Sequence, residues 1–196
     1  MVNNILNEEE LIGQLKKGNR EKFAELVDLT SDKIYRLALK MLGNEQDAED
    51  VVQETYIKAF RSLEKFEAKS SLATWLYRIA VNEALMHLRK KTPHFVPIGE
   101  EEEDGENMPR PVEIVDWCCL PEKELLSDET SSHLDQAVRA LSTLNRTVFL
   151  LRDVAGLSTK EAADVLETTE SNIKTRLFRA RMQLREELSL YFADRV

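Results

Sequence analysis

A chain of 196 residues with 42% hydrophobic and 32% charged side chains can bury the core of one ordinary domain or two small ones, which excludes wholesale disorder. Six Gly and five Pro are too few for a chain of many tight turns, so the composition favours helices. A formal net charge of −9, with a pI near 5.0, excludes a protein that coats DNA through bulk charge alone.

The first eight residues lack a basic segment followed by an apolar core, so no signal peptide is expected. Nowhere do about 18 apolar residues run together, so no membrane insertion is expected and the location reads as cytoplasmic. From residue 8 to about residue 91 the pattern is helical. Phe23, Leu26 and Val27, then Ile34, Leu37, Ala38 and Met41, recur at three- and four-residue steps. Gly43-Asn44 ends that run as a helix stop should.

A second helix is predicted over residues 45–63. Ala48, Val52, Thr55, Tyr56, Ala59 and Leu63 share one side of it, while Asp47, Asp50 and Glu54 share the other, with Gln53 beside them. Taken alone, an acidic helix face reads as solvated surface or as a docking surface. A third helix is predicted over 72–90. Before and along it stand Phe66, Ser70, Ser71, Leu72, Thr74 and Trp75, then Arg78, Asn82 and Arg89. A polar loop ringed by aromatics and followed by cations suits a single strand with a base turned out, held by stacking and by neutralised phosphates. The competing reading places the aromatics in the core, which fits Trp75 and leaves Tyr77 open.

Residues 92–127 read as a flexible acidic linker. Pro93, Pro97, Pro109 and Pro111 sit among Glu100, Glu101, Glu102, Glu103, Asp104 and Glu106 without a sustained period. Cys118 and Cys119 are adjacent, a spacing at which a bridging ring is strained, so a disulfide framework is not expected and a reducing compartment is. No CxxC or HExxH spacing occurs and His87, His94 and His133 are scattered, so neither a metal nor a cofactor is expected. The cluster Trp117-Cys118-Cys119-Leu120 is expected to anchor the linker's end on a domain.

Helical spacing returns at Leu125 and Leu126, then Leu134, Ala137, Val138 and Leu141. Ser158-Thr159-Lys160-Glu161 matches a capping box, and the helix it opens carries Ala162, Ala163, Val165 and Leu166, small enough for close helix approach. Thr169 can cap the next helix, with Glu170 near its positive end. In that last helix Ile173, Leu177, Ala180, Leu184 and Leu188 form a core stripe. At about 100° per residue Thr175, Phe178, Arg179 and Met182 point away, with Lys174, Arg176, Arg181 and Arg185 on the flanks. Flanking cations for phosphates with mixed tips for base edges suit a helix-turn-helix recognition helix. The bland alternative is a solvated basic helix in a bundle. The predicted fold class is all-α: two small helical domains, 1–91 and 128–196, joined by the linker.

Three motifs in this order resemble the extracytoplasmic-function (ECF) group of bacterial sigma factors of the sigma-70 family. They are DAEDVVQETYIKAF at 47–60, TWLYRIA at 74–80 with Asn82, and IKTRLFRAR at 173–181. The resemblance implies a non-enzymatic, two-domain initiation factor that recruits core RNA polymerase to promoters, with a sigma region 2 bundle first and a region 4 helix-turn-helix second. By position it implies that Asp47, Asp50, Gln53 and Glu54 grip the clamp helices of the largest polymerase subunit, with the flap of the second-largest subunit as a further contact. Phe66, Ser70, Ser71, Leu72, Thr74, Arg78, Asn82 and Arg89 would serve the −10 element, duplex and melted. Ser171, Asn172, Lys174, Thr175, Arg176, Phe178, Arg179 and Arg181 would serve the −35 element. It implies a linker that passes through polymerase toward the RNA exit path; the acidic run Glu100 to Asp104, and not the resemblance, is the ground for expecting mimicry of nucleic acid there. The resemblance also brings in an anti-sigma protein as a partner, since many members have one. Met86 departs from the family's usual Asp or Asn, the usual Pro near Ser142 is missing, though Ser142 can cap a helix as well, and Glu167 replaces the usual Gly of the helix-turn-helix. If position 167 is left-handed, a residue with a Cβ costs roughly 1 kcal/mol there. The rival function is a stand-alone helix-turn-helix regulator that uses the first block for dimerisation or sensing.

Overall fold

The computed structural model describes residues 3–91 and 128–193. The expected linker, with its acidic run and Trp117-Cys118-Cys119-Leu120, lies outside the described residues. Among those described, eight α-helices, a 3-10 turn and a π turn account for the regular structure, and no strand occurs. None of these helices is long and apolar enough to cross a membrane.

The first half holds α1 (Asn3–Lys16), α2 (Arg20–Leu42), α3 (Glu45–Ser62), the 3-10 turn Leu63–Lys65 and α4 (Leu72–Lys91). Asn19 opens α2 by accepting from the Lys22 N–H, satisfying one of the donors that a helix start leaves orphaned. Gly43 closes α2 in the left-handed conformation at φ 72°, and its N–H donates to the Leu39 carbonyl at 2.8 Å. Asn44 then caps α3 through the Asp47 N–H at 2.9 Å, so one dipeptide ends a helix and begins the next. Ser71 plays the same part for α4, its Oγ accepting from the Thr74 N–H at 3.1 Å.

The second half holds α5 (Asp128–Ala140), α6 (Thr143–Phe149), the π turn Leu150–Val154, α7 (Thr159–Leu166) and α8 (Glu170–Ala193). Ser142 caps α6, accepting from the Asn145 N–H at 3.5 Å, which is the role expected for it in place of a proline. Gly156, at φ 75°, turns the chain out of the π turn toward α7.

Two apolar clusters organise the molecule. One lies within the first half and joins Leu15, Leu26, Ile34, Tyr56, Ala59, Phe66, Leu72 and Leu76. Phe23 meets Tyr56 edge-on at 6.3 Å, and the Tyr56 hydroxyl lies 2.7 Å from that of Thr30, so the ring is buried without orphaning its oxygen. The other cluster crosses between the halves. Leu37, Met41, Val51, Tyr77, Val81 and Ala84 of α2, α3 and α4 join Val138, Leu141, Val148, Leu151, Ala162, Val165, Ile173 and Leu177 of the second half. Tyr77, open in the sequence, is therefore a core aromatic at 9% exposure, and burial raises its phenol pKa above the ordinary value.

Polar links reinforce the seam. Arg146 Nη1 donates to the Met41 carbonyl at 3.0 Å, and Lys40 Nζ pairs with Asp135 Oδ1 at 2.6 Å. α4 packs against α7, so the helix expected to read the −10 element lies against the first helix of the helix-turn-helix.

Candidate nucleic-acid interface

The recognition unit is built from its caps. Ser158 Oγ accepts from the Glu161 N–H at 3.2 Å, and Glu161 Oε2 accepts from the Ser158 N–H at 2.8 Å, so both halves of the capping box form. Those bonds to Ser158, then one from Thr74 and the charge of Arg152, hold the Glu161 carboxyl below its ordinary pKa, against the opposing effect of burial. Glu167 ends α7 at φ 52°, ψ 42°, the left-handed conformation in which a glycine is unstrained. Thr169 Oγ1 then caps α8, accepting from the Asn172 N–H at 3.2 Å.

The buried stripe of α8 is Ile173, Leu177, Ala180 and Leu184. It turns Ser171, Asn172, Lys174, Thr175 and Phe178 outward, with Arg179 half-buried beside them. Phe178 is 38% exposed, an apolar ring among cations on the outer face. Thr175 Oγ1 donates back to the Ser171 carbonyl at 3.0 Å.

Two cations of this helix differ from the sequence expectation. Arg176, expected on a flank, is 8% exposed, and its Nε donates to Asn172 Oδ1 at 2.7 Å. It is placed to shape the helix's first turn, because its position shares the edge of the buried stripe. Arg181 is held by both oxygens of Asp153, at 2.7 and 2.8 Å, across the π turn. That hydrogen-bonded pairing raises its pKa and fixes the helix against the turn.

On α3, the buried side is Ala48, Val51, Thr55, Tyr56 and Ala59. Gln53 and Glu54 are exposed and Asp50 half-buried on the other side, and Ile57, 44% exposed, continues their row one turn on. Asp47 is different: it pairs with Lys91 at the end of α4, which leaves its side chain only 16% exposed.

The loop before α4 corrects part of the expected DNA surface. Phe66 and Leu72 are 5% and 3% exposed, and Phe66 packs on the half-buried Trp75 with ring centroids 4.9 Å apart. Both are core side chains that hold the loop, because the chain reverses here and the only apolar refuge is inward. Thr74 is also buried, at 3%, against the expected open loop. Its Oγ1 lies 2.8 Å from Ser71 Oγ and donates to Glu161 Oε1 at 3.2 Å. Ser70 and Ser71 are half-buried, while Asn82 and Arg89 are exposed along α4 with Met86 between them. Arg78 is engaged: its Nη2 lies 2.5 Å from Glu167 Oε1.

Sequence reasoning named Glu161 and Glu167 only for their backbone roles. Their contacts with α4 were out of reach, since nothing local links position 78 to position 167. Glu8 was missed as well; its Oε1 accepts from the Leu72 N–H at 2.7 Å and ties α1 to the start of α4. No group of three or more His, Cys, Asp or Glu placed to hold a metal occurs among the described residues.

With this geometry in view, the likenesses to known proteins fall on both halves. Residues 26–93 match the Sigma-70 region 2 family and residues 132–184 match the Sigma-70, region 4 family. The chain is 37% identical over 177 residues to the ECF RNA polymerase sigma factor SigW of Bacillus subtilis, covering 90% of this chain and 94% of that one. Among solved structures it is similar to the sigma factor RpoE of Bartonella quintana, bound to the anti-sigma factor NepR. The TM-score is 0.64 at 28% identity, covering 86% of this chain and 98% of that one. CnrH in complex with the cytosolic domain of CnrY shares the fold at TM-score 0.66 and 23% identity, covering 93% and 97% of the two chains.

Proposed function

From the premise that this chain belongs to the ECF group of the sigma-70 family, we propose a division of labour among its surfaces. The protein is a sigma factor: it binds core RNA polymerase and directs promoter-specific initiation of transcription. It does so in the cytoplasm and without catalytic chemistry of its own. Residues 1–91 form the polymerase-gripping and −10 unit, and 128–196 the −35 unit, with 92–127 as the tether.

Asp50, Gln53 and Glu54 grip the clamp helices, with Asp47 at the edge of that surface where Lys91 holds it. Asn82 and Arg89 contact the −10 region, joined by Arg78, Thr74, Ser70 and Ser71 once α4 is accessible. Phe66 and Leu72 support that surface from the core. Lys174, Thr175, Phe178 and Arg179 meet the −35 element directly. Ser171, Asn172, Arg176 and Arg181 position the helix and contribute phosphate contacts at its ends. An anti-sigma protein is a further partner we expect, since the similar sigma factor RpoE of Bartonella quintana is in complex with the anti-sigma factor NepR.

The observation that carries this reading is the pairing, on one chain, of an outward polar face on α3 with a fully capped helix-turn-helix whose outward residues are cationic and apolar. Two weak DNA contacts become one tight one only when polymerase holds both on a single scaffold. A stand-alone regulator is not favoured, because the first half carries region 2 and the likeness to SigW spans both halves. The test is run-off transcription from a promoter library by core polymerase with and without the protein. New, protein-dependent start sites are expected; none would sink the reading.

A further inference from the structure

Met86 lies on the outward side of α4. Tyr77, Val81, Ala84 and Leu85 are buried on the opposite side, and Lys58 Nζ of α3 holds the buried Glu83 at 2.6 Å. Packing and ion pair together set the rotation of α4 about its own axis. At about 100° per residue, Arg78, Arg89, Asn82, Met86 and Lys90 then share an arc of about 120°.

Met86 is 43% exposed and joins neither apolar cluster. A single exposed apolar side chain needs no explanation on an ordinary surface. This one has particular neighbours. It follows Asn82 by one turn, and Arg89 and Lys90, both exposed, come after it. A hydrogen-bonding tip, an apolar tip and cations on one arc repeat the layout of α8, where Phe178, 38% exposed, stands among Lys174, Thr175 and Arg179. Two helices far apart in sequence present the same three chemistries outward.

Each of these chemistries has a partner on DNA. Cations neutralise phosphates, and an amide pairs with base edges through hydrogen bonds. Neither recognises a methyl group. The C5-methyl of thymine is the apolar feature of the base edges, and thymine carries it in duplex and in a melted strand alike. A thioether on an unbranched, flexible side chain reaches such a group and adapts to its shape. A phosphate or a hydrogen-bonding edge gains nothing from it.

We propose that Met86 is a specificity-determining residue for the −10 region, reading the C5-methyl of one thymine while Asn82 and Arg89 hold the strand around it. The inference rests on the reading of α4 as a DNA-binding helix. A methyl-sized group moved from water into apolar contact contributes about 0.8 kcal/mol, or roughly 4-fold.

The experiment uses the full chain with core polymerase on a promoter drawn from the run-off library. Each thymine of the −10 region, on either strand, is replaced in turn by uracil, which lacks only the methyl. The unaltered protein should lose roughly 4-fold in open-complex formation at one thymine and little at the others. With Met86→Ala the thymine-to-uracil ratio at that position should fall to about 1, and Met86→Leu should restore most of the discrimination. Met86→Asn should shift the base preferred at that same position when library products are sequenced. A merely structural role would not tie the effect to a single methyl. Equal uracil sensitivity of the unaltered protein and Met86→Ala at every position would overturn the inference. So would weaker binding of Met86→Ala to core polymerase without DNA, which would assign the side chain to a protein contact. If Asn82→Ala and Arg89→Ala also leave initiation unaltered, the reading of α4 falls with it. If those two weaken initiation while Met86→Ala keeps the discrimination, this inference falls alone.

Discussion

The outward faces of α3 and α4 belong to neighbouring helices of one half, yet they stand in opposite situations. On α3, Gln53 and Glu54 project into solvent with Asp50 beside them. On α4, Thr74 is buried and Arg78 is bound to Glu167 of the other half. The α3 face that we propose grips polymerase is thus presented, while part of the α4 face that we propose serves the −10 element is covered. This ordering suits a factor that should find polymerase before it touches a promoter, and it lets the two faces be separated experimentally.

The largest effect on binding should come from the presented face of α3. Asp50→Lys with Glu54→Lys is expected to weaken core polymerase binding on the order of 100-fold, because opposed like charges across an interface cost several kcal/mol. Co-elution or titration with core enzyme checks it, and intact affinity for −35 duplex shows that the second half is untouched. Next comes the framework of the covering half. Ile173 is fully buried at 0% exposure, and Ile173→Ala should remove about 2–5 kcal/mol of stability by leaving a cavity under α8. Urea unfolding measures that loss.

Within α8 itself a finer contrast is expected. Arg179→Ala should cost about 1–3 kcal/mol of −35 binding and relax preference at one base position. Lys174→Ala should weaken all sequences alike and reduce the salt slope by about 1. Equal behaviour of the two in a salt titration over variant promoters would merge roles we keep apart.

The smallest effect concerns the joint. Glu161 has its pKa depressed in the folded state, first by its bonds to Ser158, so its contribution is full above the ordinary value of 4.5 and fades as pH falls through the lower folded value. Glu161→Gln should flatten that acid-side loss in thermal melts, and Ser158→Ala should cost about 1 kcal/mol at neutral pH. A melt as acid-sensitive in Glu161→Gln as in the unaltered protein would remove Glu161 from this account.

Much of this was legible in order along the chain. The helix stop at Gly43-Asn44, the caps at Ser142 and Thr169, the capping box at Ser158 and Glu161, and the stripe of α8 from Ile173 to Leu184 all follow from local patterns, while Leu188, expected in that stripe, is only half-buried. The left-handed turn at Glu167 was legible as a question, through the absence of the usual glycine. On α8 periodicity placed Thr175 and Phe178 outward and Lys174 on an exposed flank, as the structure has them; Arg179 and Met182, expected outward, are half-buried, and Arg176, expected on a flank, is buried by what α8 packs against. Phe66, Leu72 and Thr74 were placed on the surface because a polar loop conceals which of its residues turn inward.

Periodicity, capping and charge segregation are properties of neighbours in sequence, so the sequence by itself determined the helices, their ends, the acidic face and the basic helix. The engagement of Arg78 by Glu167, of Thr74 by Glu161 and of Arg181 by Asp153 joins positions 28 to 89 residues apart. Only the tertiary structure could decide those, because a charge finds its partner through the packing of the helices that carry it, and that packing is set by the apolar cluster the two halves share.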